Sequence, residues 1–191
     1  MEPTDQELMM AFQHGDESAA RRIFERYKRR VLNFSLRMLG NRAEAEDAAS
    51  EVFVAVFSNK YTAQEGVEFS TWVFTVTRNR CLSELRKRGR IAGVSMHGED
   101  AQRYDVEDER ATPDQQSQET EAAELVREAI AGLSDDQREV IILREYEHLS
   151  YDQISRITGH SLSSVKVLIF RAREMLKARL ACFFNEEEAR S

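Results

Sequence analysis

Apolar residues recur at steps of three and four along almost the whole chain, and all eight glycines fall between these periodic runs. Such a period lines one face of an α-helix, and glycine commonly ends a helix, so the sequence predicts an all-α protein. In the first half we expect a long helix from Asp16 to Gly40, a second capped by Asn41 and a third from about Ser70. The second half predicts four helices, at roughly 119–131, 135–147, 151–158 and 162–181.

Charge is distributed unevenly along the 191 residues. The net charge is −7, but residues 1–91 carry +2, residues 92–132 carry −8 and residues 133–191 carry −1. Apolar periodicity is lost in the middle stretch, where Gln and acidic residues dominate, as in a solvated connector. We therefore expect two small helical domains joined by a flexible acidic linker. The acidic total argues against a protein that coats nucleic acid through bulk charge.

Residues 149–173 have the pattern of a helix-turn-helix. Ser150 can cap a short helix, Gly159 can supply a left-handed turn, and Ser161 can cap a second helix. A helix of this size enters the DNA major groove, where hydroxyls, Lys and Arg contact base edges or phosphates. The alternative is a plain amphipathic hairpin with a solvated basic face. The predicted outer side of the second helix carries Ser163, Ser164, Lys166, Val167, Phe170 and Arg171.

A basic run precedes the acidic stretch. Residues 78–90 contain six basic groups and one acidic group, a net charge of +5. Phe69, Trp72 and Phe74 lie within two helical turns of this run, and aromatic faces beside cations suit unstacked single-stranded bases. Two other interpretations stay open: the basic run is a solvated helix end, and the aromatic residues belong to the core.

Nothing in the sequence resembles a catalytic or metal motif. The chain lacks a phosphate-binding glycine loop, a nucleophile elbow and an HExxH motif, and its four histidines are scattered. We therefore expect no enzyme activity, no metal and no cofactor, and we interpret Cys81 as a packed core thiol. No apolar run approaches the roughly 18 residues of a membrane span, and the N-terminus lacks a secretory signal, so a cytoplasmic location is expected.

Three segments, in this order and spacing, resemble the bacterial extracytoplasmic-function (ECF) sigma factors, which are promoter-recognition subunits of RNA polymerase. Residues 43–57 (AEAEDAASEVFVAVF) resemble the region 2 helix that docks on the clamp helices of the largest polymerase subunit. Residues 69–90 resemble the segment that melts and reads the −10 element, and residues 133–174 resemble region 4. The resemblance covers nearly the whole chain.

The resemblance implies a domain organisation and a set of partners. Region 4 would also contact the flap of the second-largest polymerase subunit, and a cognate anti-sigma factor, often held at the membrane, would block the polymerase-binding surfaces. The acidic linker would mimic the phosphate backbone of RNA in the polymerase channel. The implied segments are region 2 at 1–91, the linker at 92–117, region 4 at 118–182 and a tail at 183–191.

The resemblance also assigns roles to residues. Asp47, Glu51 and Val54 would face the polymerase. The −10 strand would meet Trp72, Thr75, Arg78 and Asn79, and the loop 60–68 would capture a flipped base. The exposed residues of the second helix, from Ser163 to Arg171, would read the −35 element. Two departures from the family pattern are Leu168, where many members have Arg, and Ser83, where many have Asp.

Two other functions fit parts of the same sequence. A stand-alone helix-turn-helix regulator would explain residues 149–173, but it would leave the Phe/Trp/Arg helix of the first domain unexplained, and such regulators usually dimerise on palindromes. A protein-interaction adaptor would make the outer residues of the second helix incidental. A test for promoter-specific transcription with purified core polymerase distinguishes the three functions: sigma factor, regulator and adaptor.

Overall fold

The computed structural model describes residues 2–58, 67–92 and 113–188. Within those residues the chain forms α-helices in two compact units, which confirms the all-α class. The first unit is built from α1 (Asp5–Gln13), α2 (Glu17–Leu39), α3 (Arg42–Phe57) and α4 (Phe69–Ala92). Most of the second unit comes from the C-terminal half of the chain. This half contains α5 (Pro113–Ala131), α6 (Asp135–Glu145), α7 (Tyr151–Thr158) and α8 (Leu162–Glu188).

The core of the first unit follows the predicted apolar rows. Asp16 caps α2 by accepting from the Ser18 N–H, Gly40 ends that helix at φ 66°, and Asn41 caps α3. Burial of these rows supplies the main driving force for packing the four helices. The buried row of α2 is the one that the periodicity predicts: Ile23, Tyr27, Val31, Phe34 and Met38.

The first helix, α1, was not predicted as a separate element. Thr4 and Glu7 form a capping box at its start, in which the Thr4 hydroxyl accepts from the Glu7 N–H and the Glu7 carboxylate accepts from the Thr4 N–H. Asp5 accepts hydrogen bonds from Arg26 and from the hydroxyl of Tyr27 on α2. These contacts fix a nine-residue helix that is too short to be stable alone.

Three helix boundaries in the second half of the chain differ from the predicted ones, and the smallest difference is that α6 ends at Glu145 rather than at 147. Helix α5 begins at Pro113, inside the predicted linker, because proline and an acidic residue suit the first helical turn even without apolar periodicity. Helix α8 continues to Glu188, past the predicted end at 181, because no glycine or proline interrupts it. The remaining linker residues, 93–112, lie outside the described residues, so the domain boundaries stay predictions. No helix in the described part of the chain is both long and apolar enough to cross a bilayer.

Candidate nucleic-acid interfaces

The helix-turn-helix is built by the capping contacts that the sequence predicts. At the start of α7 the Ser150 hydroxyl accepts from the Gln153 N–H (3.2 Å), and the Gln153 side chain accepts from the Ser150 N–H (2.8 Å). Gly159 adopts φ 77° in the turn, a conformation that disfavours residues with a Cβ atom. The Ser161 hydroxyl then caps α8 by accepting from the Ser164 N–H at 3.2 Å. These contacts set where α8 begins and therefore which of its residues point outward.

One face of α8 is buried and the opposite face is exposed. Val165, Ile169 and Ala172 are buried, whereas Val167 and Phe170 keep 47% and 65% of their surface exposed. Exposed apolar side chains of this size on a helix rich in Lys and Arg are available to a partner surface. All six predicted −35 residues are exposed on this face: Ser163, Ser164, Lys166, Val167, Phe170 and Arg171.

An ion pair holds α8 against α6. The Arg173 guanidinium donates to a carboxylate oxygen of Glu145 at 3.1 and 2.6 Å, and this hydrogen bond raises the pKa of Arg173. Arg173 lies two residues after Arg171, the last of the predicted −35 residues. Its guanidinium contacts Glu145, which ties the helix to the domain.

The predicted −10 residues lie on the surface of α4. Asn79 is exposed, Trp72, Thr75 and Arg78 are half-buried, and the Thr75 hydroxyl donates to the Thr71 carbonyl at 2.7 Å. Arg78 contacts the side-chain oxygen of Asn79 at 3.4 Å. The loop 60–68 that would capture a base falls mostly outside the described residues.

The aromatic residues near the basic run divide into core and surface. Phe69 and Phe74 are fully buried, and Phe69 packs edge-to-face on Tyr27 with ring centroids 5.1 Å apart. Of the three predicted stacking residues, Trp72 therefore keeps exposed surface. Cys81, on the same helix, is also buried, and burial raises the pKa of its thiol to about 12, which confirms the interpretation as a core thiol.

Two cations of the basic run contact acidic residues of α3. Arg80 donates to Glu51, and its Nη2 atom also lies 3.0 Å from Glu84 on its own helix. Arg88 contacts Glu44 and donates twice to the Leu39 carbonyl, at 3.1 and 3.0 Å. These contacts neutralise part of the net +5 that residues 78–90 carry.

The predicted polymerase-facing residues lie on the exposed side of α3. Asp47 and Glu51 are exposed, and Val54 keeps 67% of its surface exposed. Glu51 differs from the other two because its carboxylate contacts Arg80. No sequence rule pairs residues 29 positions apart on different helices, so this contact was missed.

A second group that sequence reasoning missed joins α6 to the turn of the helix-turn-helix. The Nε2 atom of His160 lies 3.4 Å from Oε1 of the fully buried Glu139 and 3.7 Å from Oδ1 of Asp136. These three side chains have ligand atoms within 4.8 Å of one another, close enough for a metal site in principle. The i, i+3 spacing of the two carboxylates on one helix was a weak signal, but His160 is 21 residues away. We interpret the group as an electrostatic contact between α6 and the turn.

Comparison with known proteins matches each of the two units to a family model. Residues 23–91 match the family model for Sigma-70 region 2, and residues 123–176 match that for Sigma-70, region 4. The chain is 30% identical to the ECF RNA polymerase sigma-E factor of Haemophilus influenzae over 181 residues, covering 93% of this chain and 95% of the relative. It is also 30% identical to the RNA polymerase sigma-H factor of Pseudomonas aeruginosa over 188 residues, covering 95% and 96%.

Solved structures share the fold. CnrH, in complex with the cytosolic domain of CnrY, aligns with a TM-score of 0.68 at 20% identity over 94% of this chain and 99% of that one. The sigma factor RpoE of Bartonella quintana, crystallised with the anti-sigma factor NepR, aligns with a TM-score of 0.64 at 24% identity, covering 84% and 96%. Given the two matching regions and the relatives matched almost end to end, the chain belongs to the ECF family of RNA polymerase sigma factors.

Proposed function

We propose that this sigma factor, which directs promoter-specific transcription initiation by RNA polymerase, reads the −35 element with the exposed face of α8. The observation that carries the proposal is that all six predicted −35 side chains are exposed on one face while Val165, Ile169 and Ala172 anchor the other. A major groove about 12 Å wide admits such a helix. Lys166 and Arg171 would bind guanine edges or phosphates, and Val167 and Phe170 would contact thymine methyl groups.

The −10 element is proposed to bind on α4 as an opened strand. Trp72 offers a partly exposed ring on which a base can stack, and Asn79 offers an amide for a base edge. Thr75 and Arg78 lie on the same side of the helix. This arrangement suits unpaired bases better than duplex DNA, because a base can stack on Trp72 only after it has left the double helix.

The proposed polymerase contact is the outer face of α3. Asp47 and Glu51 supply charge and Val54 supplies an exposed apolar side chain, a combination typical of the polar rim and apolar centre of protein interfaces. The clamp helices of the largest subunit are the proposed partner. Region 4 would meet the flap of the second-largest subunit.

Two further features of the family are proposed for this protein. The sigma factor RpoE was solved with the anti-sigma factor NepR, and CnrH was solved with the cytosolic domain of CnrY; a protein inhibitor of the NepR kind is proposed here. Sigma factors are non-catalytic initiation factors, and we propose that this chain likewise has no enzyme activity of its own. We also propose a cytoplasmic location, because RNA polymerase acts there, with any attachment to the inner membrane made through an inhibitor.

Run-off transcription tests the proposed reading of the promoter. Purified core polymerase and the full chain are incubated with templates whose −35 and −10 elements are randomised, and the transcripts are sequenced. We expect transcripts from one −35/−10 pair. Arg171→Ala should reduce −35-dependent transcription by about five- to 150-fold, since a base contact contributes about 1–3 kcal/mol.

Lys177→Ala is the matched control because Lys177 is an exposed cation of the same helix, further along α8. An equal loss in both variants would contradict base reading by Arg171. Operator binding without core polymerase would support the stand-alone regulator. The absence of both activities would support the adaptor.

A further inference from the structure

We propose that Arg80 is an additional nucleic-acid contact that Glu51 holds in check until RNA polymerase engages Glu51. The inference rests on the proposed function, because it needs α3 to face polymerase and α4 to face DNA. Arg80 contacts Glu51 across the two helices, so one ion pair joins the two proposed surfaces. The partner that Arg80 would meet after release is a phosphate of the opened DNA strand.

Arg80 lies at the edge of the proposed −10 surface. It follows Asn79 in sequence and lies eight residues after Trp72, which is about two turns along α4. Its side chain is 32% exposed, so solvent and a DNA strand can reach it. A strand that stacks on Trp72 and bonds to Asn79 would pass within reach of an Arg side chain at this position.

The Arg80 guanidinium does not use all of its hydrogen-bond donors. Its Nη2 atom contacts both Glu51 and Glu84, whereas its Nε atom is buried without a hydrogen-bond partner. A guanidinium prefers to pair with carboxylate through two parallel N–H donors, and a buried unused donor carries a cost. The contact therefore lacks the geometry of an optimised structural ion pair.

Arg88 provides the contrast within the same two helices. It also contacts an acidic residue of α3, Glu44, but its guanidinium donates twice to the Leu39 carbonyl at the end of α2. A backbone carbonyl does not move when a partner protein binds, so Arg88 stays in place. Both acceptors of Arg80 are side-chain carboxylates near the surface, and one of them is a proposed polymerase contact.

Competition for Glu51 couples the two binding events. When polymerase takes the Glu51 carboxylate, Arg80 loses one of its two anionic neighbours and becomes a stronger phosphate ligand. Linkage then requires that DNA bound to Arg80 raises the affinity of Glu51 for polymerase by the same factor. Because the pair is partly exposed, the expected factor is about two- to fivefold.

The first test measures DNA binding by the full chain without polymerase. The probe is a fluorescein-labelled, mixed-sequence single-stranded DNA of 20 nucleotides, followed by anisotropy over a range of salt. Glu51→Gln should bind about two- to fivefold more tightly than wild type, with a salt dependence steeper by about 0.7, the value for one added phosphate contact. The double variant Glu51→Gln/Arg80→Gln should bind no better than Arg80→Gln.

Glu46→Gln is the matched control for this test. It removes the same charge from the exposed side of α3, but Glu46 pairs with Arg42 on its own helix. A gain that is equal for Glu46→Gln and Glu51→Gln, or one that persists without Arg80, would overturn the proposal. Such a result would show a general charge effect.

The second test measures binding to core polymerase without DNA. Arg80→Gln frees Glu51 and should bind core about two- to fivefold more tightly than wild type, whereas Arg88→Gln should bring no gain. Unchanged core affinity of Arg80→Gln would overturn the coupling while leaving the sigma function intact. If wild type itself fails to bind core, the proposed function fails, and the ion pair has no trigger.

Discussion

At the scale of single residues, the cap and turn positions were the most predictable part of this protein. Asp16, Asn41, Ser150 and Ser161 all cap helices as expected, because a short polar side chain before an apolar run has few better places to bond. Gly159 takes the predicted left-handed turn. The Glu51–Arg80 pair was not predictable, since it depends on how two helices pack.

His148 departs from the pattern in which glycine occupies left-handed positions. It adopts φ 54° in the loop between α6 and α7, where its side chain is exposed. A left-handed conformation costs an L-residue about 1–2 kcal/mol, and glycine avoids this cost. Glycine also gives the unfolded chain more conformational entropy, which lowers stability by about 0.4–1 kcal/mol. His148→Gly should therefore raise the free energy of unfolding by about 0.5–1 kcal/mol, measured by urea denaturation.

His148→Ala is the control for this prediction. Alanine keeps the Cβ atom and therefore the backbone strain, while it removes the same imidazole. If His148→Ala stabilises the protein as much as His148→Gly, the gain comes from the lost side chain, and backbone strain at this position is not its source.

At the scale of helices, apolar periodicity located α2, α3, α7 and the start of α8. It missed α1, which a capping box and contacts to Arg26 and Tyr27 stabilise, and it placed the start of α5 too late. Neither stretch has an apolar stripe in the sequence: capping and contacts to α2 hold α1, whereas proline and an acidic residue suit the first turn of α5. Periodicity also could not decide which aromatic residues of α4 are core, because that depends on the position of α2.

The start of α8 provides a test at this scale. Ser161→Ala removes the hydroxyl that caps the helix and should lower the free energy of unfolding of the C-terminal unit by about 1 kcal/mol. It should also weaken −35 recognition, because a frayed first turn displaces Ser163 and Ser164. The measurements are thermal denaturation and run-off transcription.

Ser163→Ala is the comparison variant for stability. Its hydroxyl contacts the Ser161 hydroxyl at 3.0 Å but does not accept the capping hydrogen bond. Its removal should change the free energy of unfolding by less than about 0.5 kcal/mol, the usual range for surface substitutions. Equal destabilisation by the two variants would show that the serine cluster as a whole, and not the cap, stabilises this end of α8.

At the scale of the whole molecule, the acidic total and the DNA-binding role are compatible. The net negative charge lies almost entirely in residues 92–132, and the two flanking segments are nearly neutral at +2 and −1. A subunit with little bulk attraction to DNA is not retained on random sequence, so we expect promoter binding to depend on polymerase. The contact between Arg80 and Glu51 acts in the same direction, because it lowers the positive charge of α4 in the free protein.

The earlier start of α5 shortens the connection between the two DNA-binding units. If the −35 and −10 contacts are separated by about 25 base pairs, at 3.4 Å each, the two units must span about 85 Å. The 20 residues between Ala92 and Pro113 reach at most about 66–72 Å when fully extended, so the helices at either end must cover the remainder. We predict that this tether is extended when both units bind promoter DNA, because mimicry of an RNA backbone would need its charges in a single line.

Neutralising this tether tests its proposed role in the polymerase channel. The variant replaces the acidic residues of segment 93–112 with Ser or Gln, and its control scrambles the same segment with its composition kept. Loss of negative charge should alter the ratio of abortive to full-length transcripts, because a neutral tether is held less strongly in a channel built for a polyanion. The scrambled segment keeps the charge and should behave like wild type in the same gel-based initiation assay.

If the neutral variant leaves abortive synthesis and promoter escape unchanged, the tether spans the distance without imitating RNA. If both variants fail alike, the order of the residues matters more than their charge.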